Sequence, residues 1–127
     1  MTASMPSERS SAQRLDDILQ NIEAVRKFTC ESRFEDFLGD LKTIYAVTRA
    51  LEIISEASRH LPPDMKARMT GINWKGIAAV GNVYRHAYDS VEERFVWEVI
   101  VTHLDPLRSA VIAELNHLGY PKENPSG

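Results

Sequence analysis

Apolar residues recur every three or four positions along most of this chain, and that spacing leaves little room for any architecture but packed helices. Leu15, Ile18, Leu19, Ile22 and Val25 form the first series, while Asp16, Asp17, Gln20, Glu23 and Arg26 fall outside it. A second series runs through Ile44, Val47, Leu51 and Ile54, with Tyr45, Ile53 and Ala57 widening the stripe. Trp74, Ile77, Val80, Gly81, Tyr84 and Tyr88 make a third, and Val96, Trp97, Ile100, Leu104, Leu107, Val111, Leu115 and Leu118 a fourth. A repeat near 3.6 gathers each set on one helix face that has to be buried against other helices. The expected fold class is all-α, an up-and-down bundle of four or five helices.

Local signals set the expected boundaries. Residues 1–12 are Ser-rich and aperiodic and read as a disordered tail, residues 13–119 as the helical domain, and residues 120–127 as a loose end. The first helix is expected from about Gln13 to Phe28. Ser32 and Glu35 have the spacing of a capping box for a short helix ending near Gly39, and Asp40 caps the next, about Leu41 to His60. Leu61-Pro62-Pro63 stops that helix, because proline lacks a donor and disfavours helix in the residue before it. Asn73 caps a helix from Trp74 to about His86. The last helical region begins near Val91 and meets Pro106, which predicts either a kink or a restart with Asp105 as cap.

A chain of 127 residues supports one core, and its 43% hydrophobic and 26% charged residues argue against a fibrous or wholly disordered protein. Cys30 stands alone, so neither an intrachain disulfide nor a thiolate metal cluster is available. The segment MTASMPSERSSAQ has no apolar run to serve as a signal, and no later stretch approaches a membrane span. A soluble, cytoplasmic protein without membrane contact is expected. The net charge of -3 hides a positive block: residues 59–90 carry five Lys/Arg (Arg59, Lys66, Arg68, Lys75, Arg85) against two Asp/Glu. Such a block either draws an anionic ligand such as RNA or is a solvated run of charge.

The chemistry concentrates between Trp74 and Trp97. His60, His86, His103 and His117 show no metal-ligand spacing with one another, and there is no HExxH and no nucleotide-binding fingerprint. Neither a metal nor another cofactor is expected. His86 is the side chain suited to proton transfer near neutral pH, with Arg85 beside it, Asn82 one helical turn earlier and Tyr88 two residues beyond. That set could cleave RNA without a metal: a base takes the ribose 2′-hydroxyl proton, the oxygen attacks phosphorus, and a cation stabilises the charge. Taken alone, the same residues also fit a histidine closing a helix C-terminus and two tyrosines in packing.

Several separated motifs then agree in order and spacing. Arg14-Leu15-Asp16-Asp17-Ile18-Leu19, Phe34-Glu35-Asp36-Phe37, Arg49 through Ala57, Trp74 with Ile77-Ala78, His86-Ala87-Tyr88 and Val96-Trp97 resemble the HepT-like family of HEPN-domain proteins over about residues 14–118. The resemblance implies a HEPN-type bundle that pairs into a homodimer, with the motif helices facing across a cleft. It further implies the toxin of a toxin-antitoxin pair, a metal-independent ribonuclease whose partner is a minimal nucleotidyltransferase that attaches AMP to a tyrosine. By position, His86 matches the family's motif histidine, Asn82 its polar residue and Tyr88 the modified tyrosine. The motif arginine is replaced by Gly81. Arg85 follows four residues later, about 40° around an ideal helix, within reach of the same phosphate. If it does not serve, the missing cation raises the barrier by about 3 kcal/mol. The alternative reading is a catalytically degenerate HEPN dimer that binds, and is modified by, the nucleotidyltransferase. Glycine at 81 also costs the helix about 1 kcal/mol relative to alanine, and a close backbone contact across the dimer would account for it.

Overall fold

The computed structural model describes residues 10–83 and 90–120, with the side chains of 82, 83 and 90–92 left aside. Among the described residues there are seven helices and no strand, the all-α architecture that the periodicity dictates. They are α1 (Ser11–Phe28), α2 (Phe34–Leu38), α3 (Leu41–Arg59), α4 (Pro63–Arg68), α5 (Trp74–Val83), α6 (Ser90–Thr102) and α7 (Leu104–His117).

Helix α3 is the centre of the bundle, packing along α1 on one side and α5 on another, with α2 across its start. Helix α7 closes against α1, and α6 joins α7, α5 and α2. The core is built from the predicted faces: Leu15, Ile18, Ile22 and Val25 of α1 are fully buried, and they meet Ile44, Val47, Leu51 and Ile54 of α3. Leu104, Leu107, Val111 and Leu115 of α7 complete it. At roughly 1.5–3 kcal/mol for each fully buried aliphatic side chain, this shared interior is what makes short helices such as α2 and α4 hold their shape.

Some expected details are corrected. Helix α1 starts at Ser11, two residues early, because Ser10 Oγ accepts from the Gln13 N–H and the Gln13 side chain returns to the Ser10 N–H. The Ser32–Glu35 box does not form; Arg33 is the first flanking residue of α2, and its N–H donates to the Asp36 carboxylate at 3.0 Å. Tyr45 does not widen the buried stripe of α3 but is 66% exposed, and Leu118 is 41% exposed. Ala57 widens that stripe as expected, and further small residues do so as well: Thr48, Ala50, Ser55 and Ser58 are buried where neighbouring helices come close. At Pro106 the restart occurs two residues earlier than expected, with His103 before Leu104 and Pro106 inside the first turn of α7, where no intrahelical donor is missed. Helix α7 ends as glycine allows: Gly119 has φ +72°, and the N–H of Tyr120 reaches back to the Leu115 carbonyl at 2.9 Å.

The connections are tied by polar groups. Between α1 and α7, Arg108 Nε donates to Glu23 at 2.6 Å and Arg26 pairs with Asp105. Arg68 of α4 pairs with Glu114 of α7, whose side chain is only 6% exposed, and that pairing raises the arginine above its usual range. At the start of α3, Asp40 accepts from Thr43 Oγ1 at 2.6 Å and from the Thr43 N–H at 3.1 Å. The hydroxyl bond first, then the amide bond, lowers its carboxyl below the ordinary carboxylate range. A carboxyl lowered on folding stabilises above its unfolded pKa and loses that contribution as pH falls through the folded value. Asp40→Ala is therefore expected to lower the melting temperature at pH 7, and the gap from the parent to close progressively below about pH 4. Thermal unfolding followed by circular dichroism between pH 7 and pH 2 checks this; a gap independent of pH would show that the charge has no part in the cap.

Candidate functional site

Position 81 decides how α5 sits. Asn73 Oδ1 accepts from the Gly76 N–H at 3.0 Å and caps the helix, as its place before Trp74 predicts. Ile77 and Val80 are buried in the core, and Trp74 is partly buried with the Lys66 ammonium 5.5 Å above its ring. Helix α5 then crosses α3 closely enough that a Cβ placed on Gly81 would lie 2.6 Å from Ser55 Oγ and 2.9 Å from Ser55 Cβ. Any side chain there requires α3 or α5 to move. The glycine is thus explained within one protomer, by the α3–α5 crossing, and no contact across a dimer is needed.

The crossing is sealed by hydrogen bonds from α3. Ser55 Oγ donates to the Ala78 carbonyl at 2.7 Å. Arg59, one turn later, places Nη2 at 3.1 Å from Ser55 Oγ and 3.3 Å from the Ala78 carbonyl, while Nη1 donates to Glu56 at 2.7 Å. His60 Nε2 lies 3.0 Å from the other Glu56 oxygen. The hydrogen bond from His60 is the main cause that lowers the Glu56 carboxyl from its ordinary value, followed by the nearby charges of Arg59, His60 and Arg14.

Of the sequence-derived site, Asn82 lies in α5, and its side chain is outside the described residues. Arg85, His86 and Tyr88 also lie outside them. The structure therefore places the helix that leads to the motif and the residue where the motif arginine would stand. The positive block 59–90 is not one continuous basic face among the described residues. Arg68 is engaged by Glu114, Lys66 lies over Trp74, and Arg59 is turned onto the α3–α5 crossing. Arg59 appears in the sequence only as one charge of the positive block, whereas its position four residues after Ser55 aims it at α5. The signal available was the small residues Ser55 on α3 and Ala78 and Gly81 on α5, which let two helices approach closely.

An open hollow of about 350 Å³ between α4 and α7 is lined by Arg68, Thr70, Ala113, Glu114 and His117, and its charged groups already satisfy each other. Among the described residues no group of three or more His, Cys, Asp or Glu could hold a metal ion. No described helix is long and apolar enough to cross a membrane.

Known proteins similar to this chain add a second kind of observation. A family model described as Ribonuclease HepT-like matches residues 18–113, a span that includes α5 and the segment 82–88. A protein of Thermococcus cleftensis named Probable ribonuclease HepT is 42% identical over 101 residues, covering 80% of this chain and 92% of that one. Two Methanocaldococcus jannaschii proteins with provisional RNase names are 36% and 30% identical, covering 68% and 83% of this chain and 72% and 96% of their own lengths. No solved structure matches.

Proposed function

The chain belongs to the HepT-like ribonuclease family, and from that premise we propose that it is an endoribonuclease, the toxin of a toxin-antitoxin pair, acting without a metal at a cleft between two copies of itself. The observation that carries this reading is the family match across residues 18–113, which takes in Asn82, Arg85, His86 and Tyr88 together. In this reading His86 removes the proton from a ribose 2′-hydroxyl, the freed oxygen bonds to the adjacent phosphorus, and the 5′-oxygen leaves with a returned proton. The products are a 2′,3′-cyclic phosphate and a 5′-hydroxyl. Asn82 and Arg85 contact the phosphate and the charge that builds on it. Tyr88 is the acceptor of AMP from a minimal nucleotidyltransferase, a modification that places a bulky anion beside the site and silences it.

The test is cleavage of a labelled RNA by purified protein in excess chelator. Cleavage is expected, with a loss of about 10²–10⁴ in rate for His86→Ala, the range for a proton-transfer group. Equal cleavage by the two proteins would assign the activity elsewhere. Sedimentation of the same preparation is expected to give twice the chain mass.

A second reading is supported by one specific observation. Gly81 is required by the α3–α5 crossing, so the family's arginine has no room at that position. On this view the protein is a HEPN dimer without catalysis that remains a binding partner and AMP acceptor for the nucleotidyltransferase. RNA left intact by the parent protein, together with labelling of Tyr88 by the partner enzyme and ATP, distinguishes it.

A further inference from the structure

The space that a side chain at position 81 would occupy already has a cation at its edge. A Cβ on Gly81 would lie 3.5 Å from Arg59 Nη2, so the guanidinium of α3 stands where a longer residue of α5 would begin. We propose that Arg59 is the phosphate-holding arginine of this site, delivered by α3 beside Gly81 in place of an arginine carried by α5. The inference rests on the ribonuclease reading above and names a residue which that reading does not use.

Three observations favour it. First, the fork is held: Nη2 contacts Ser55 Oγ and the Ala78 carbonyl, and Nη1 contacts Glu56, yet 43% of the side chain remains accessible. A guanidinium fixed in this way loses little freedom when a phosphate oxygen takes the place of Glu56 on Nη1. Second, Glu56 has two partners, Arg59 Nη1 at 2.7 Å and His60 Nε2 at 3.0 Å, so when a phosphate takes its place on Arg59 the carboxylate keeps its contact with His60. The Arg59–Glu56 pair is itself an exposed i,i+3 bridge, a weak competitor for a phosphodiester. Third, the other described cations of the block that make contacts are turned to other tasks, Arg68 to Glu114 and Lys66 to Trp74.

Arg59→Gln and Arg59→Lys decide the matter, with Arg49→Gln as a control, since Arg49 is an exposed α3 residue paired with Glu52 in the same i,i+3 manner. Arg59→Gln is expected to lower kcat/KM for RNA about hundredfold, the effect of removing one donor to a developing oxyanion. Arg59→Lys is expected to recover only part of the loss, because it restores charge without the fork. Binding of a single-stranded RNA, followed by fluorescence anisotropy against salt well below the melting temperature, reads the role separately from stability. Losing one phosphate contact reduces the slope of log K against log salt by about 0.7, which a purely structural brace does not do. A slope and a kcat/KM that match those of Arg49→Gln would overturn the proposal. If the parent protein leaves RNA intact, the ribonuclease reading fails by itself, and the anisotropy slope still reports whether Arg59 holds a phosphate.

Discussion

Phe37→Ala is expected to remove about 4 kcal/mol of unfolding free energy and about 15 °C of melting temperature, which for a domain of this size is a large share of the total. Phe37 is 1% exposed and packs on Trp97 with ring centroids 5.2 Å apart, while Phe34 meets the same indole at 6.1 Å and has the Arg94 guanidinium 4.5 Å over its ring. These rings are the link between α2 and α6. A helix of five residues has no stability of its own, so the truncation leaves both a cavity and an α2 with nothing to hold it. Urea unfolding of the two proteins measures the difference. A loss below about 1 kcal/mol would mean that Trp97 and its neighbours collapse into the space and that the aromatic cluster is not what seats α2.

The second large effect concerns position 81. Restoring arginine there is the natural experiment for a chain that lacks the family's motif residue, and the structure predicts that Gly81→Arg first damages the fold. Its Cβ would come within 2.9 Å of Ser55 Cβ, so α3 and α5 have to separate, at about 2–3 kcal/mol for an overpacked contact. Ser55→Gly removes both clashing atoms. By itself it weakens the crossing, since it gives up the 2.7 Å bond to Ala78 and adds a glycine to α3, yet it is expected to rescue Gly81→Arg. The double variant should be more stable than the sum of the single losses by 1–2 kcal/mol, the coupling expected of residues in direct contact. Additive losses measured by chemical unfolding would show that the two helices separate easily and that position 81 is not constrained by packing. Activity of Gly81→Arg has meaning only beside this measurement, because a loss of cleavage could reflect a loosened α5.

The sequence and the structure agree most where burial is the whole signal. Leu15, Ile18, Ile22 and Val25, or Ile44, Val47, Leu51 and Ile54, can be assigned to the core from spacing because a helix face either meets its neighbours or does not. Tyr45 fails the same rule: it lies at the edge of the stripe, where the angle subtended by the neighbouring helices decides exposure, and that angle is not a local property. Helix starts were legible to within a residue or two. Ser10 with Gln13, and Arg33 with Asp36, formed caps where Gln13 and Ser32 with Glu35 were expected to mark the boundaries, since polar residues a few positions apart compete for the same backbone donors. The motif residues Asn82, Arg85, His86 and Tyr88 were identified by their order along the chain and rest on that order and on the family match.

What the amino-acid order determined by itself was the helical class, the composition of the core and the family, because these depend on residue types repeated at fixed intervals or matched in series. Only the tertiary structure decided why residue 81 is a glycine and where Arg59 points. Both answers belong to the crossing of α3 and α5, two segments distant in sequence, and the absence of room for a Cβ at that crossing has no counterpart in the pattern of either helix read alone.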